Sequence, residues 1–137
     1  MLDLDETLVH YDDEKEDLYI RPGCERFLQT LAKYYEIVVF TAGMQDYADW
    51  ALMHLDDNTA AKCIKHRLYR TQALPCRDFY IKDLSSLGRD LKKTIIVDNI
   101  TENFLLQPNN GITIKSWYDD PKDTALMELA PLLIQIV

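Results

Sequence analysis

No run of about 18 apolar residues occurs in this chain, so no segment reads as a membrane-spanning helix. Nothing at its start reads as a secretory leader. Basic residues are scarce: 15 lysines and arginines face 23 acidic residues, for a net charge of −8. That balance excludes the basic footprint that sequence-independent nucleic-acid binding requires, and adhesion to anionic membrane surfaces. An anionic ligand therefore gains nothing from the global field. Its site must be made locally cationic by a lysine, an arginine or a metal. Cysteines are few and odd in number (Cys24, Cys63, Cys76). Their spacing fits neither a zinc site nor a disulfide framework. They read as free thiols of an intracellular protein, nuclear or cytoplasmic. Internal repeats, low-complexity tracts and an interdomain linker are also missing.

What is present suits one domain over residues 1–137, with 47% hydrophobic residues to build a core. Only Met1 and Leu2 precede the first acidic residue, whereas a buried strand usually has about 5–6 residues. We therefore expect a fragment or a trimmed N-terminus. An upstream anchor to the nuclear envelope or endoplasmic reticulum stays compatible with this reading.

Residues 1–9 read as a strand running into a loop, and the acidic run 12–17 as a solvated loop without the glycine-centred spacing of a calcium site. Leu18-Tyr19-Ile20 reads as a short strand. After Arg21-Pro22-Gly23 a helix is predicted to about Tyr35, with Phe27, Leu28, Leu31 and Tyr35 on its apolar face. Ile37–Phe40 is a continuous apolar run, which suits a sheet buried on both faces. A second helix carries Tyr47, Ala48, Ala51, Leu52 and Leu55 inward. Strands are predicted at 63–69, 94–97 and 111–114. A last helix starts at Asp120-Pro121, buries Leu126, Leu129, Leu132 and Leu133, and kinks near Pro131. Strands alternating with helices imply a parallel α/β sheet of three-layer, Rossmann-like type.

The chemistry-bearing residues fall at strand ends. Asp3 and Asp5 are two residues apart and, on a strand, point the same way. Two close carboxylates repel, so a cation, a proton or a strong donor must offset them. Candidates follow downstream: Thr41 in Phe40-Thr41-Ala42-Gly43, Lys82 in Tyr80-Ile81-Lys82-Asp83, and Asp98-Asn99 after Thr94-Ile95-Ile96-Val97. Ligands of open parallel sheets sit beyond the carboxyl ends of the strands. Taken singly, each has a plainer reading: a capping turn for Asp3 and Asp5, a helix cap for Thr41, a surface lysine for Lys82, a turn for Asp98-Asn99. Only the ordered set points to catalysis. His10, His54 and His66 lack ligand spacing, and Trp50 and Trp117 read as packing residues. Cys24, near a helix start, sits where a thiol pKa is lowered. Asn99-Ile100-Thr101 reads as a chance match to a glycosylation acceptor.

Asp3-Leu4-Asp5-Glu6-Thr7-Leu8-Val9-His10 resembles the first motif of the aspartate-based phosphatases of the haloacid dehalogenase superfamily. Within it, the chain is similar to the small phosphatases of the RNA polymerase II C-terminal domain and to the Dullard phosphatases. Arg21-Pro22-Gly23, Phe40-Thr41-Ala42, Leu68-Tyr69-Arg70, Tyr80-Ile81-Lys82-Asp83-Leu84-Ser85, Val97-Asp98-Asn99, Ile114-Lys115-Ser116-Trp117-Tyr118 and Asp123-Thr124-Ala125-Leu126 extend the match in the same order. One departure concerns specificity: only residues 11–20 lie between the first motif and the Arg-Pro element, where relatives carry a longer insert. No proline-directed preference is therefore transferred.

The resemblance implies a haloacid dehalogenase fold without a cap domain and a Mg²⁺-dependent protein serine/threonine phosphatase. Asp3 is implied as the nucleophile forming an aspartyl-phosphate, and Asp5 as the general acid and base. Thr41, the Ala42 backbone, Lys82 and Arg70 are implied at the phosphate or peptide. Asp3, the Asp5 carbonyl and Asn99 are implied around Mg²⁺, with Asp98 among them. The implied partner is a phosphorylated protein tail or loop, because residues 11–20 and 43–79 leave no room for a cap. No cysteine is followed by arginine at the spacing of cysteine-based phosphatases. Two rivals remain at this level: a small-molecule phosphatase whose lid comes from a partner, and a catalytically silent binding module related to the mitochondrial import receptor.

Overall fold

The computed structural model describes residues 1–55 and 58–137. Along the chain run β1 (Val9–Asp12), β2 (Asp17–Ile20), α1 (Cys24–Leu31), β3 (Ile37–Phe40), α2 (Gln45–Met53), α3 (Asn58–Lys62) and β4 (Ile64–Leu68). Then come β5 (Leu74–Cys76), β6 (Phe79–Ile81), β7 (Ile96–Asp98), β8 (Gly111–Thr113) and α4 (Ala125–Gln135). Short 3₁₀ turns at Arg70–Gln72, Leu84–Leu87, Leu91–Lys93, Thr101–Phe104 and Pro108–Asn110 fill the connections.

The central sheet is parallel. β3 pairs with β4, and β7 with β8. The first residues join the two pairs: Leu2 bridges in parallel to both Val39 and Val97. Leu2 N donates to Val38 O at 2.8 Å, Phe40 N to Leu2 O at 2.8 Å, and Asp3 N to Val97 O at 3.0 Å. The order across the sheet is thus β4, β3, residues 1–3, β7, β8. The sheet is covered on both faces. Val97 belongs to the large core shared with α1 to α4, while its neighbour Ile96 packs with Leu84 and Phe104. Adjacent strand residues point oppositely, so these clusters lie on opposite sides. The fold is therefore the layered α/β arrangement implied above. Residues 11–20 lie within the β1–β2 hairpin, with Val9 opposite Ile20 and Asp12 opposite Asp17. No described segment forms a cap.

Gly111 is dictated by packing. A Cβ there would stand 2.1 Å from two ring carbons of Phe104. Only hydrogen lets β8 approach the 3₁₀ turn that ends at Phe104.

Several expectations change. Helix α1 ends at Leu31 instead of continuing to Tyr35; a turn follows, and Tyr35 still packs against the core, its hydroxyl donating to Leu133 O at 2.5 Å. The last helix begins at Ala125, not at Asp120-Pro121. Asp120 Oδ1 instead accepts from Lys122 N, and its carbonyl accepts from Trp117 Nε1. That helix runs through Pro131, which sits on its exposed side, and Leu132 faces solvent. Trp117 is buried as expected, but Trp50 is 39% exposed. Helix α3 and the β5–β6 hairpin had no periodic signal: the strands have three residues each, and one contains Pro75. The acidic run is the tip of the β1–β2 hairpin, where Asp12 Oδ1 accepts from the backbone of Glu14 and Lys15.

Candidate active site

Residues 1–3 deliver Asp3 to the carboxyl edge of the sheet centre. The strand ends there. Asp5 reaches the same edge through a turn, with Glu6 at φ 60°, not through strand alternation. Leu8 N and Val9 N both donate to Leu4 O, closing that turn. Thr7 Oγ1 donates to Asp3 Oδ2 at 2.9 Å.

Lys82 follows β6 and is fully buried. Its Nζ donates to Asp3 Oδ1 at 2.8 Å and to Asp98 Oδ2 at 2.6 Å. One ammonium thus sits between two carboxylates. Burial works against its charge, but Asp3 and Asp98 outweigh that and lift its pKa above the ordinary lysine value. For Asp3 the balance runs the other way. Burial raises its pKa, Lys82 and Thr7 oppose, Asp98 adds, and without a metal the group is pushed up to about 7. Burial also raises the Asp5 pKa, opposed by the Tyr47 hydroxyl and Lys82. That hydroxyl donates to Asp5 Oδ1.

Thr41 follows β3 and is buried. Its Oγ1 accepts from Gly43 N at 2.9 Å, which leaves the hydroxyl proton free to donate. A Cβ on Gly43 would stand 3.2 Å from Thr41 Oγ1 and 3.8 Å from Asp5 Oδ2. Thr41 and Asp5 therefore line one recess, and Gly43 keeps it open. Thr41 does not cap α2, whose cap position is Met44. Arg70 is exposed at the rim. Its backbone N and its Nε donate to Gly43 O and Ala42 O at 3.0 and 2.7 Å, and its guanidinium lies 5.0 Å over the Tyr80 ring. It braces the Ala42-Gly43 loop.

Asp98 is completely buried. Its Oδ1 accepts from Ile100 N at 3.0 Å, Asn103 Nδ2 reaches both of its oxygens at 3.2 and 3.3 Å, and Lys82 occupies Oδ2. Its lone pairs are committed to protein donors. Asn99 has two readings. With its oxygen inward, that atom lies 2.8 Å from Asp3 Oδ2 and 3.2 Å from Asp98 Oδ1, and Nδ2 donates to Ser116 Oγ at 2.9 Å. With the amide reversed, the nitrogen donates to both carboxylates and Ser116 Oγ donates to the oxygen. Oxygens converging without a proton between them suit an oxygen-seeking cation, and the reversed amide suits its absence. Among the described residues no three acidic, histidine or cysteine side chains form a metal cluster. The donor set placed here is carboxylate and amide oxygen, which fits a hard ion that keeps several waters, such as Mg²⁺.

All eight residues singled out in the sequence thus lie at this edge, Asp98 as the last residue of β7 and the others outside the named strands. Four others support them: Thr7, Tyr47, Asn103 and Ser116. Tyr47 was legible only as a core residue of α2, and Asn103 carried no signal. Cys24 is buried, and its thiol is pushed up to about 12, not lowered. Arg21, also buried, donates through Nε and Nη2 to Asp123 at 2.8 and 3.1 Å and through Nη1 to Thr7 O at 3.1 Å. It ties the turn behind Asp3 to the segment that starts α4. Two cavities, of about 550 and 920 Å³, open at the amino-terminal ends of the strands, near Ile37 and Ile95 and near Ile95 and Gly111. Neither contains the carboxylates.

The NLI interacting factor-like phosphatase family matches residues 1–137, and the chain belongs to that family. The probable C-terminal domain small phosphatase of Dictyostelium discoideum is 41% identical over the whole chain, covering 50% of that protein. The human carboxy-terminal domain RNA polymerase II polypeptide A small phosphatase 2 is 34% identical over 99% of the chain and 56% of its own length. The chain spans about half the length of these curated relatives. In fold it is similar to the fission yeast RNA polymerase II CTD phosphatase Fcp1-R271A bound to beryllium fluoride. There the TM-score is 0.66 at 17% identity, covering 98% of this chain and 49% of that one.

Proposed function

We propose that this chain is a Mg²⁺-dependent protein serine/threonine phosphatase working through an aspartyl-phosphate on Asp3. The observation that carries the reading is the Asp3 carboxylate at the centre of the sheet edge, 2.8 Å from the Lys82 ammonium and 2.9 Å from the Thr7 hydroxyl. These donors orient the nucleophile and offset its charge toward an incoming phosphate.

Asp3 attacks phosphorus and the ester oxygen departs. Asp5 gives that oxygen its proton, a task suited to a carboxyl group whose pKa is raised by burial. Because Tyr47 occupies Asp5 Oδ1, Oδ2 is the oxygen left for the proton. Asp5 then takes a proton from water, the water attacks the acyl-phosphate phosphorus, and Asp3 is released with inorganic phosphate. Thr41, the backbone of Ala42, and Lys82 hold phosphate oxygens. Asp3, the Asp5 carbonyl and Asn99 would hold Mg²⁺, with Asp98 orienting Lys82 beside them. The ion supplies charge neutralisation and a template for the phosphate.

The uncapped edge, with Arg70 at its rim, supports a protein substrate, as does the human relative named as a small phosphatase of the carboxy-terminal domain of RNA polymerase II polypeptide A. Turnover of a phosphoserine peptide with Mg²⁺, compared with sugar phosphates, tests the reading. Wild type should prefer the peptide and Asp3→Asn should lose nearly all activity. Retained turnover in Asp3→Asn would remove Asp3 as nucleophile.

A further inference from the structure

We propose that Asn103 is a positioning residue that holds Lys82 and Asp98 in one geometry, and so fixes the ammonium against Asp3. The inference rests on the phosphatase reading but concerns a residue that no motif assigns. Lysine is a flexible stem with three donors. Left alone, its tip has many places to go. Besides its bond to Asp3, two attachments restrain it, and both lead to Asn103. Its carbonyl accepts from Lys82 N at 2.7 Å, fixing the backbone from which the side chain starts. Its Nδ2 reaches both oxygens of Asp98 at 3.2 and 3.3 Å, fixing the carboxylate on which the side chain ends.

The placement is itself rigid. Asn103 is buried on the 3₁₀ turn Thr101–Phe104, its own N donating to Ile100 O at 3.2 Å. The next residue, Phe104, is seated against Gly111 and packed with Leu84 and Ile96. An amide suits the position. It donates to Asp98 without adding a cation that would compete with Lys82. An aspartate there has nearly the same shape but sets a carboxylate against a buried carboxylate. Alanine removes the donor and leaves Asp98 one partner short.

The test is steady-state hydrolysis of para-nitrophenyl phosphate with Mg²⁺ by wild type, Asn103→Ala and Asn103→Asp. Gln107→Ala serves as the control for loosening the same region. Gln107 supports it through Leu84 N and Asp83, at 2.9 and 2.8 Å, without touching Asp98. Both Asn103 variants should lose about 10–100-fold in kcat, the range seen when an outer partner of a catalytic group is removed. KM should stay within about twofold, because Asn103 does not touch substrate. Gln107→Ala should keep its kcat even where its melting temperature falls as far. Wild-type kcat in Asn103→Ala and Asn103→Asp, or an equal loss in Gln107→Ala, overturns the proposal. An inactive wild type would instead overturn the phosphatase reading. A crystal structure of Asn103→Ala then still decides the positioning claim: Lys82 Nζ displaced from Asp98 supports it, and an unchanged contact refutes it.

Discussion

The Tyr47 hydroxyl donates to Asp5 Oδ1, joining a residue of α2 to the second carboxylate of the first motif. That bond favours the ionised form of Asp5 and so holds down a pKa that burial raises. Removing it in Tyr47→Phe moves the Asp5 pKa further up. As general acid, Asp5 must be protonated, so the alkaline limb of kcat/KM on a phosphoserine peptide should shift to higher pH. Tyr47 itself stays protonated, because burial and then Asp5 raise its pKa. A pH–rate profile of the variant that overlays wild type would detach Tyr47 from the chemistry.

Asp3 makes metal-free stability depend on pH. Its folded pKa is about 7 against an ordinary 3.8, so between these values the native state binds more protons than the unfolded chain. Stability from this group is therefore greatest below about pH 4 and is lost as pH rises toward 7. Asp3→Asn, a neutral mimic of the protonated acid, should melt higher than wild type at pH 7 without metal. Added Mg²⁺ should stabilise wild type more than the variant. Thermal melts with chelator and with Mg²⁺ check both signs.

Lys82→Met should abolish turnover and leave Asp3 and Asp98 buried without their cation. Breaking a buried ion pair in this way costs about 3–5 kcal/mol. The cost should shrink as pH falls and Asp3, whose pKa burial raises, takes up a proton. Urea unfolding at pH 5 and pH 8 measures it, and a pH-independent loss would contradict the charge argument.

Much of this site was legible from residue order. Ile37–Phe40 and Thr94–Val97 announce buried parallel strands, and the polar residues at their ends mark the ligand edge. The supports were not legible, because each depends on chain crossings that no spacing encodes. Tyr47 lies on the face of α2 that also carries core residues, and nothing local shows its hydroxyl meeting Asp5. Asn103 looks like any polar residue in a turn until Asp98 is placed beside it. The α4 start misled for a related reason: Asp120-Pro121 has the right local chemistry, but Arg21 holds Asp123 and sets the helix start from a distance of 102 residues in sequence.

That same pair yields a stability prediction. Arg21→Met leaves Asp123 unpaired and should cost about 3–5 kcal/mol. Arg21 holds the Asp123 pKa below the ordinary carboxylate value. The pair's contribution is therefore present above about pH 4 and is lost as pH falls through the depressed folded value. Asp123→Asn should narrow the gap between Arg21→Met and its parent in a double-mutant cycle. Simple additivity of the two changes would contradict the coupling.

Gly111→Ala tests the packing behind the site. Its Cβ would stand 2.1 Å from two ring carbons of Phe104, so overpacking should cost about 1–3 kcal/mol or more. Phe104→Leu should recover part of that loss in the double variant. Unchanged thermal stability of Gly111→Ala alone would show that the ring moves aside freely.

The most direct test is a crystal structure grown with Mg²⁺ and beryllium fluoride, a phosphoryl mimic already seen on the structural relative Fcp1. The beryllium should bond to a carboxylate oxygen of Asp3, with Lys82 and Thr41 on its fluorines and the Asn99 oxygen turned toward the ion. Beryllium bound to Asp5 or Asp98 instead, or an adduct lying away from Lys82, would contradict the account.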